Sequence, residues 1–309
     1  CSRPEATFGV LGALALAAPF LSDTYQQFLF DTLLLVLLAL GMNIILGMAG
    51  LFVLGYAAFY AIGAYTYGIL SLVHGLAFWP GVLAGSLFAA GVGFLVGLPS
   101  LRLKGDYLAL ATLGLGETIR LVIKNWTALT GGTFGCPGRA FWKGHGVDSE
   151  EALARTIQPP GILGWPADPQ PIHFLYVAIG FAVLFAFISF RLGRSRLGRA
   201  LVAIREDELA ARTMGVDTVR VKLTAFALGA AFAGAAGVLF AARQGSLYPD
   251  TFDFNLSVHV LSVVVIGGMG SIPGCILGAF LLSLLTLFLR NGFEGRYQHR
   301  FASGFVSEF

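Results

Sequence analysis

Long apolar runs dominate this chain, and what interrupts them is glycine, proline and clusters of basic residues rather than a regular polar face. From Thr32 to Leu101 there is no Asp, Glu, Lys or Arg. One helical membrane span takes roughly 20 apolar residues, so this stretch alone holds about three. Backbone polar groups in lipid must be satisfied internally, which leaves helices or closed barrels. Barrel strands alternate in polarity, whereas these runs are continuous. The pattern predicts an all-α, polytopic transmembrane bundle with spans at about 7–21, 28–48, 50–72, 76–98, 107–124, 171–190 and 222–242. A last apolar stretch, 257–290, is interrupted by glycines and reads as two spans or one broken helix, giving about eight or nine spans. The apolar segment 8–21, preceded by Arg3, also resembles the core of a secretion signal; no small-residue cleavage site stands out, so it is kept as a span. The chain 1–309 is read as a single transmembrane domain.

Composition agrees. Only 12% of residues are charged, about half the share of a soluble domain, and the mean hydropathy is +0.78. A net charge of +3 gives no reason to expect nucleic acid. The position of the charges is more telling than their sum. The loop 191–222 holds Arg191, Arg194, Arg196, Arg199, Arg205, Arg212, Arg220 and Lys222 against four acids, which marks it as cytoplasmic. Counting spans backwards puts 125–170 outside, the 99–106 loop with Arg102 and Lys104 inside, and the N-terminus with Arg3 inside. Turn-forming stretches such as GGTFGCPG (131–138) and PADPQP (166–171) fit an external segment, with Trp126, Trp142 and Trp165 at the outer interface.

Gly81 and Gly85, Gly93 and Gly97, and Gly270, Gly274 and Gly278 stand four residues apart. Small residues at that spacing let helix backbones approach closely in lipid, here most simply within the chain. An internal repeat is suggested by GYAAFYAIGAY (55–65), which aligns without gaps on GSIPGCILGAF (270–280). Chance similarity in so Gly- and Ala-rich a chain is the rival reading.

Catalytic chemistry is hard to find. None of the four lysines follows a glycine, so there is no phosphate-binding loop, and neither H-E-x-x-H nor G-x-S-x-G occurs. The five histidines are scattered, and the three cysteines have no metal or redox spacing. No cofactor, no metal and no enzymatic activity are expected. Acids inside apolar spans point to function by default. Asp31 opens the second span. Glu117 lies within the fifth, with Arg120 on the same helical face. It either contacts a solute ammonium in a pathway or pairs with Arg120, and the ion pair is the preferred reading. Asn43 likewise either packs helices or faces the pathway.

The loop 191–226 is the most informative segment. Ala200 to Met214 reads as one amphipathic helix, with Leu201, Ile204, Leu209 and Met214 as its apolar stripe and Arg205, Glu206, Asp207, Glu208 and Arg212 elsewhere. Gly215 is placed to end it. Such a helix docks in a partner's groove or lies on the membrane surface.

Four stretches carry a family resemblance. They are AAFYAIGAY (57–65), RLKGDYLALATLGLGETIRLVIKNWTALTGGTFG (102–135), the long block GRALVAIREDELAARTMGVDTVRVKLTAFALGAAFAGAAGVLFAARQGSLYPDTFDF (198–254) and VVVIGGMGSIPGCILGA (263–279). Over about residues 28–290 the chain resembles the LivM-type permeases of branched-chain amino acid ABC importers. The resemblance implies a bacterial inner-membrane subunit working with a second, LivH-type permease, two cytoplasmic ATPase subunits and a periplasmic amino-acid-binding protein. It also implies an ATPase-coupling loop, often marked E-A-A-x-x-x-G. Here Ala210, Ala211 and Gly215 keep the spacing, while the acid is displaced to Glu208. The pathway is expected along 50–65 and 263–280, with Asn43, Gly55, Gly63, Glu117, Gly267, Gly268, Gly270, Gly274 and Gly278 as candidate pathway or packing residues. Two rivals stay open: a permease for urea or short amides, and an ion-coupled secondary transporter, for which Glu117 is nearly the sole candidate coupling acid. The polar tail 290–309, where the family continues with an apolar segment, is expected not to span.

Overall fold

The computed structural model describes residues 23–100, 106–136 and 171–305. The first predicted span, most of the external segment with Trp142 and Trp165, and residues 306–309 lie outside the described residues. The all-helical expectation holds: the described residues contain no strand beyond one isolated bridge, Cys136 with Leu247.

Helix α1 (Asp23–Met42) runs into a π-helical turn, Asn43–Met48. Then come α2 (Tyr56–His74), α3 (Phe78–Ser100), α4 (Asp106–Asn125) and the short α5 (Thr127–Thr130). The second half holds α6 (Pro171–Arg194), α7 (Arg196–Glu206), α8 (Glu208–Thr213), α9 (Thr218–Gln244), α10 (Phe254–Gly267) and α11 (Ile272–Phe305). Among the described residues five segments are long and apolar enough to cross a membrane: Tyr25–Met48, Phe78–Pro99, Ile172–Arg194, Thr218–Gln244 and Ile272–Leu289. The shortfall against eight or nine has identifiable causes. The predicted span 107–124 is a full helix, but Glu117, Arg120 and Lys124 lower its apolarity. Helix α10 has only 14 residues.

Two predicted elements break. The apolar stretch 257–290 divides into α10 and α11 at Gly268 and Gly270, whose φ of +96° and +86° only glycine takes at no steric cost. The expected single helix 200–214 divides into α7 and α8. Asp207, in extended backbone, accepts from the Leu209 and Ala210 N–H groups at 2.8 and 3.1 Å. An Asp side chain can satisfy orphan helix N–H groups, so it starts a new helix rather than continuing the old one.

Helices α1 and α9 form the centre of the bundle. Of the apolar window of α1 with its π-helical turn 89% is buried and of that of α9 78%, against 33% for α3 and 22% for α11. Glycines set how closely the neighbours of α9 approach. A Cβ on Gly63 of α2 would strike the Gly234 backbone of α9. One on Gly93 of α3 would lie 2.9 Å from the Phe226 carbonyl oxygen, and one on Gly85 3.1 Å from that of Gly63. Gly267 and Gly274 face each other across the α10–α11 hairpin, and Gly278 packs on Val263 and Gly267. The four-residue glycine spacings therefore serve contacts within the chain, as close helix packing in lipid requires. Above them, the Tyr56 hydroxyl donates to the Gly229 carbonyl at 3.0 Å and fixes the start of α2 against α9.

Candidate functional site

Charged side chains gather at two opposite ends of the bundle. On the Arg-rich side, three separate elements meet. The Arg205 guanidinium of α7 donates to the Gly47 carbonyl at 2.6 Å. Gly47 lies in the π-helical turn, where the regular hydrogen-bond ladder of α1 is rearranged. The Asn43 side-chain oxygen, in that same turn, accepts from the Gly270 N–H at 2.8 Å. Gly47 has no room for a side chain: a Cβ there would meet Asn43 and stand 2.5 Å from the Gly270 nitrogen. The end of α1, the turn between α10 and α11, and the basic loop are thus tied together through Asn43, Gly47, Gly270 and Arg205.

The loop itself has two faces. Leu201, Ile204 and Ala211 are buried against their own chain, while Leu209 and Met214 are 73% and 84% exposed. The predicted apolar stripe is therefore divided: its first half holds the loop to the bundle, and its second half is open. Buried Lys222 bonds Glu208 at 2.5 Å, docking α8 on the start of α9. Asp217 caps α9 by accepting from the Arg220 N–H at 3.1 Å. Gly215 has φ +85°, the left-handed helix end expected of it.

At the opposite end, α4 carries Glu117 and Arg120. Arg120 Nε stands 3.0 Å from both Glu117 carboxylate oxygens, and the guanidinium bonds one of them again. It also reaches Asp250 at 3.0 Å, and Lys124 reaches the same oxygen at 3.1 Å. The hydrogen-bonded Lys124 ammonium, with help from Arg120, holds Asp250 below the usual carboxylate range. The backbone bridge between Cys136 and Leu247 lies at this end, with N–O distances of 2.8 and 2.6 Å. Burial pushes the free Cys136 thiol up to about 12.

Beside this cluster a cavity of about 330 Å³ opens between the starts of α2 and α10 and the middle of α4. Leu54, Gly55, Ala57, Ala58, Leu113 and Phe252 give it apolar walls, and Glu117, Asp253 and Ser257 give it polar ones. Gly55 makes its shape possible, since a Cβ there would strike the Thr112 carbonyl. Thr112 accepts from the Leu54 N–H at 3.2 Å, and Ser257 from the Ala57 N–H at 2.9 Å, so the chain leading into α2 is held from both sides.

The predicted site residues therefore separate into groups. Glu117 and Gly55 line the cavity. Asn43 and Gly270 join Arg205. Gly63, Gly267, Gly274 and Gly278 pack helices, and Gly268 turns the hairpin. Asp207 caps α8, and Glu206, Glu208, Ala210 and Ala211 belong to the loop. Asp250, Asp253, Thr112 and Ser257 were not singled out from sequence. Asp253 had a readable signal, as it stands three residues before Leu256, whose N–H it accepts at 3.1 Å to cap α10. Arg205's acceptor is a backbone carbonyl, which leaves no trace in a side-chain pattern. Among the described residues no three His, Cys, Asp or Glu side chains gather as metal ligands would.

Comparison with known proteins agrees with this architecture. The family described as branched-chain amino acid transport system, permease component, matches residues 24–302. The high-affinity branched-chain amino acid transport system permease protein LivM of Escherichia coli is 45% identical over 287 residues, which is 90% of this chain and 67% of its own length. LivM of Salmonella typhimurium is 44% identical over 268 residues, 84% of this chain and 62% of its own. The autoinducer 2 import system permease protein LsrC of Yersinia pseudotuberculosis is 27% identical over 290 residues. The chain thus spans about two thirds of the length of the LivM relatives. No solved structure matches it.

Proposed function

The chain belongs to the branched-chain amino acid transport permease family, and we propose that it forms half of the membrane pathway of an ATP-driven importer of those amino acids. The other half would be a LivH-type permease. A periplasmic binding protein would deliver the solute, and two cytoplasmic ATPases would supply the energy. In this reading the basic loop is cytoplasmic, the Glu117 end faces outward, and α2 and α4 are further crossings that raise the five to seven, with the expected span 7–21 and α10 making eight or nine. The segments 55–65 and 270–280, each opening a helix just after a non-helical turn, are read as repeat-related.

One observation carries the proposal. Helix α4 has a buried face, Leu108, Ala109, Thr112 and Ile123, and an open face, where Tyr107, Leu110, Leu121 and Val122 are 45–73% exposed. Glu117 lies between them with its side chain 39% exposed. A charged side chain on a helix that crosses the membrane is costly against lipid, so this face belongs against a partner or a water-filled path. On the other side, the exposed Leu209 and Met214 of the loop fit a helix-in-groove contact with the ATPase. Arg205 would pass its movement to the Asn43–Gly47 turn and to the α10–α11 hairpin. Such a contact drives transport only if it differs between two states, which a single bond to a rearranged helix end allows.

Uptake into proteoliposomes holding the complex tests the reading. Leucine should enter only with the binding protein outside and ATP on the ATPase side. Entry of urea in preference to leucine would favour the amide branch. Leucine entry driven by an ion gradient without ATP would overturn the importer reading.

A further inference from the structure

Among the described residues, acids outnumber cations around the α4 cavity. Glu117, Asp250 and Asp253 face two cations, Arg120 and Lys124. Ion pairs bind Glu117 to Arg120, and Asp250 to both cations. Asp253 makes no ion pair among the described residues; its oxygens accept from the Leu256 N–H at 3.1 Å and the Asn255 amide at 2.7 Å. A carboxylate has about four acceptor positions, so Asp253 and Glu117 both keep lone pairs free at the cavity wall. Two carboxylates thus border a space whose other walls are mostly aliphatic and aromatic. Its volume, about 330 Å³, is at the small end of the range for small-molecule sites. Negative charge at one edge and an apolar body beyond it suit a small solute with an ammonium at one end and a hydrocarbon side chain at the other.

We propose that this cavity is a binding station for apolar α-amino acids in transit, with the ammonium on Asp253 beside Glu117 and the side chain against Leu54, Ala58 and Leu113. The proposal rests on the importer reading and adds the residues that hold the solute. It gives Glu117 a second role beside its ion pair. Asp253 is the freer contact, because Arg120 hydrogen-bonds Glu117 and acts on Asp253 only through space. Its capping of α10 points its carboxylate out of the helix start, where the dipole already favours a negative charge.

The test is a thiol-protection experiment on the complex purified with its co-expressed partner subunits and without the binding protein. Cys1, Cys136 and Cys275 are replaced by Ala, and a reporter thiol is placed by Leu113→Cys; Phe254→Cys serves as a second reporter should the first not assemble. Saturating leucine should slow N-ethylmaleimide alkylation of the reporter at least about tenfold. Isopentylamine, which keeps the ammonium, should protect as well. 4-Methylpentanoate, which lacks it, should not. Asp253→Asn keeps the helix cap, since Asn caps as well as Asp, and should raise the leucine concentration needed for protection at least about tenfold. A thiol at Val122, on the open face of α4 and away from the cavity, should be unaffected. Absent protection, equal protection by 4-methylpentanoate, or an unchanged response in Asp253→Asn would overturn the site. If leucine uptake by the unaltered complex is normal in that case, the site alone falls. If the unaltered complex imports no leucine, the importer reading falls and the site falls with it.

Discussion

Two arginines, at opposite ends of the bundle, hold it together in different ways. Arg120 is surrounded by carboxylates, bonding Glu117 through several contacts and Asp250 at 3.0 Å. Among the described residues, Arg205 bonds the neutral carbonyl of Gly47 at 2.6 Å and no carboxylate. Ion-pair networks keep their geometry because losing one partner leaves others. A single charge-assisted bond to a backbone carbonyl is strong while its geometry is right and is lost as a unit when either element moves. Under the importer reading, the Arg120 end would stay fixed while the Arg205 end would be made and broken. The helix end at Asn43–Met48 fits this contrast, since the last carbonyls of a helix have no partner within it and are open to a donor such as Arg205.

Several measurements would break or sharpen that comparison. The largest effect is expected at Gly47. Gly47→Ala should force the Asn43 side chain and the α10–α11 turn apart, costing about 1–3 kcal/mol of stability and lowering the thermal transition and yield of the subunit in detergent. A stability equal to that of the unaltered chain would show that the turn is loosely held. Next is Arg205→Met, which keeps the stem and removes the charged donor. A bond of this type contributes about 1.5–3 kcal/mol, so substrate-stimulated ATP hydrolysis should fall roughly tenfold or more while ATPase subunits still co-purify. Loss of co-purification would place Arg205 in the docking contact itself. Glu117→Gln should act more mildly. Partly exposed ion pairs are worth about 0–1 kcal/mol, so assembly should survive with a small drop in stability. Under the cavity proposal, its leucine transport should decline by more than its stability does.

The smallest effect concerns pH. Asp250 has a lowered folded-state pKa, so its contribution to stability is present above the unfolded value and is lost as pH falls through the folded one. A melting series from neutral to acid pH should show a shallow loss, and Asp250→Asn should flatten that part of the curve. An unchanged slope would remove Asp250 from the network.

The apolar run lengths by themselves determined that the chain is helical and membrane-embedded, because covering backbone polar groups in lipid permits little else. Local chemistry was legible too. Gly215 ends its helix where expected, and the Glu117–Arg120 pair follows from a three-residue spacing on one helix. What sequence left open was set by contacts across distant segments. Asp207 divides the loop helix because its side chain competes for backbone N–H groups, a choice that a hydrophobic stripe does not register. The stripe is divided between two elements: Leu201 and Ile204 are buried against the bundle, while Leu209 and Met214, beyond the break, stay exposed. Asn43 looked like a packing or pathway residue, and only the fold brings Gly270 to it across 227 positions. Asp253 acquires its place beside Glu117 in the same way, through the packing of α10 against α2 and α4. Periodicity records which face of a helix is apolar; which helix that face meets, and which carbonyl a charge finds there, is decided by tertiary packing alone.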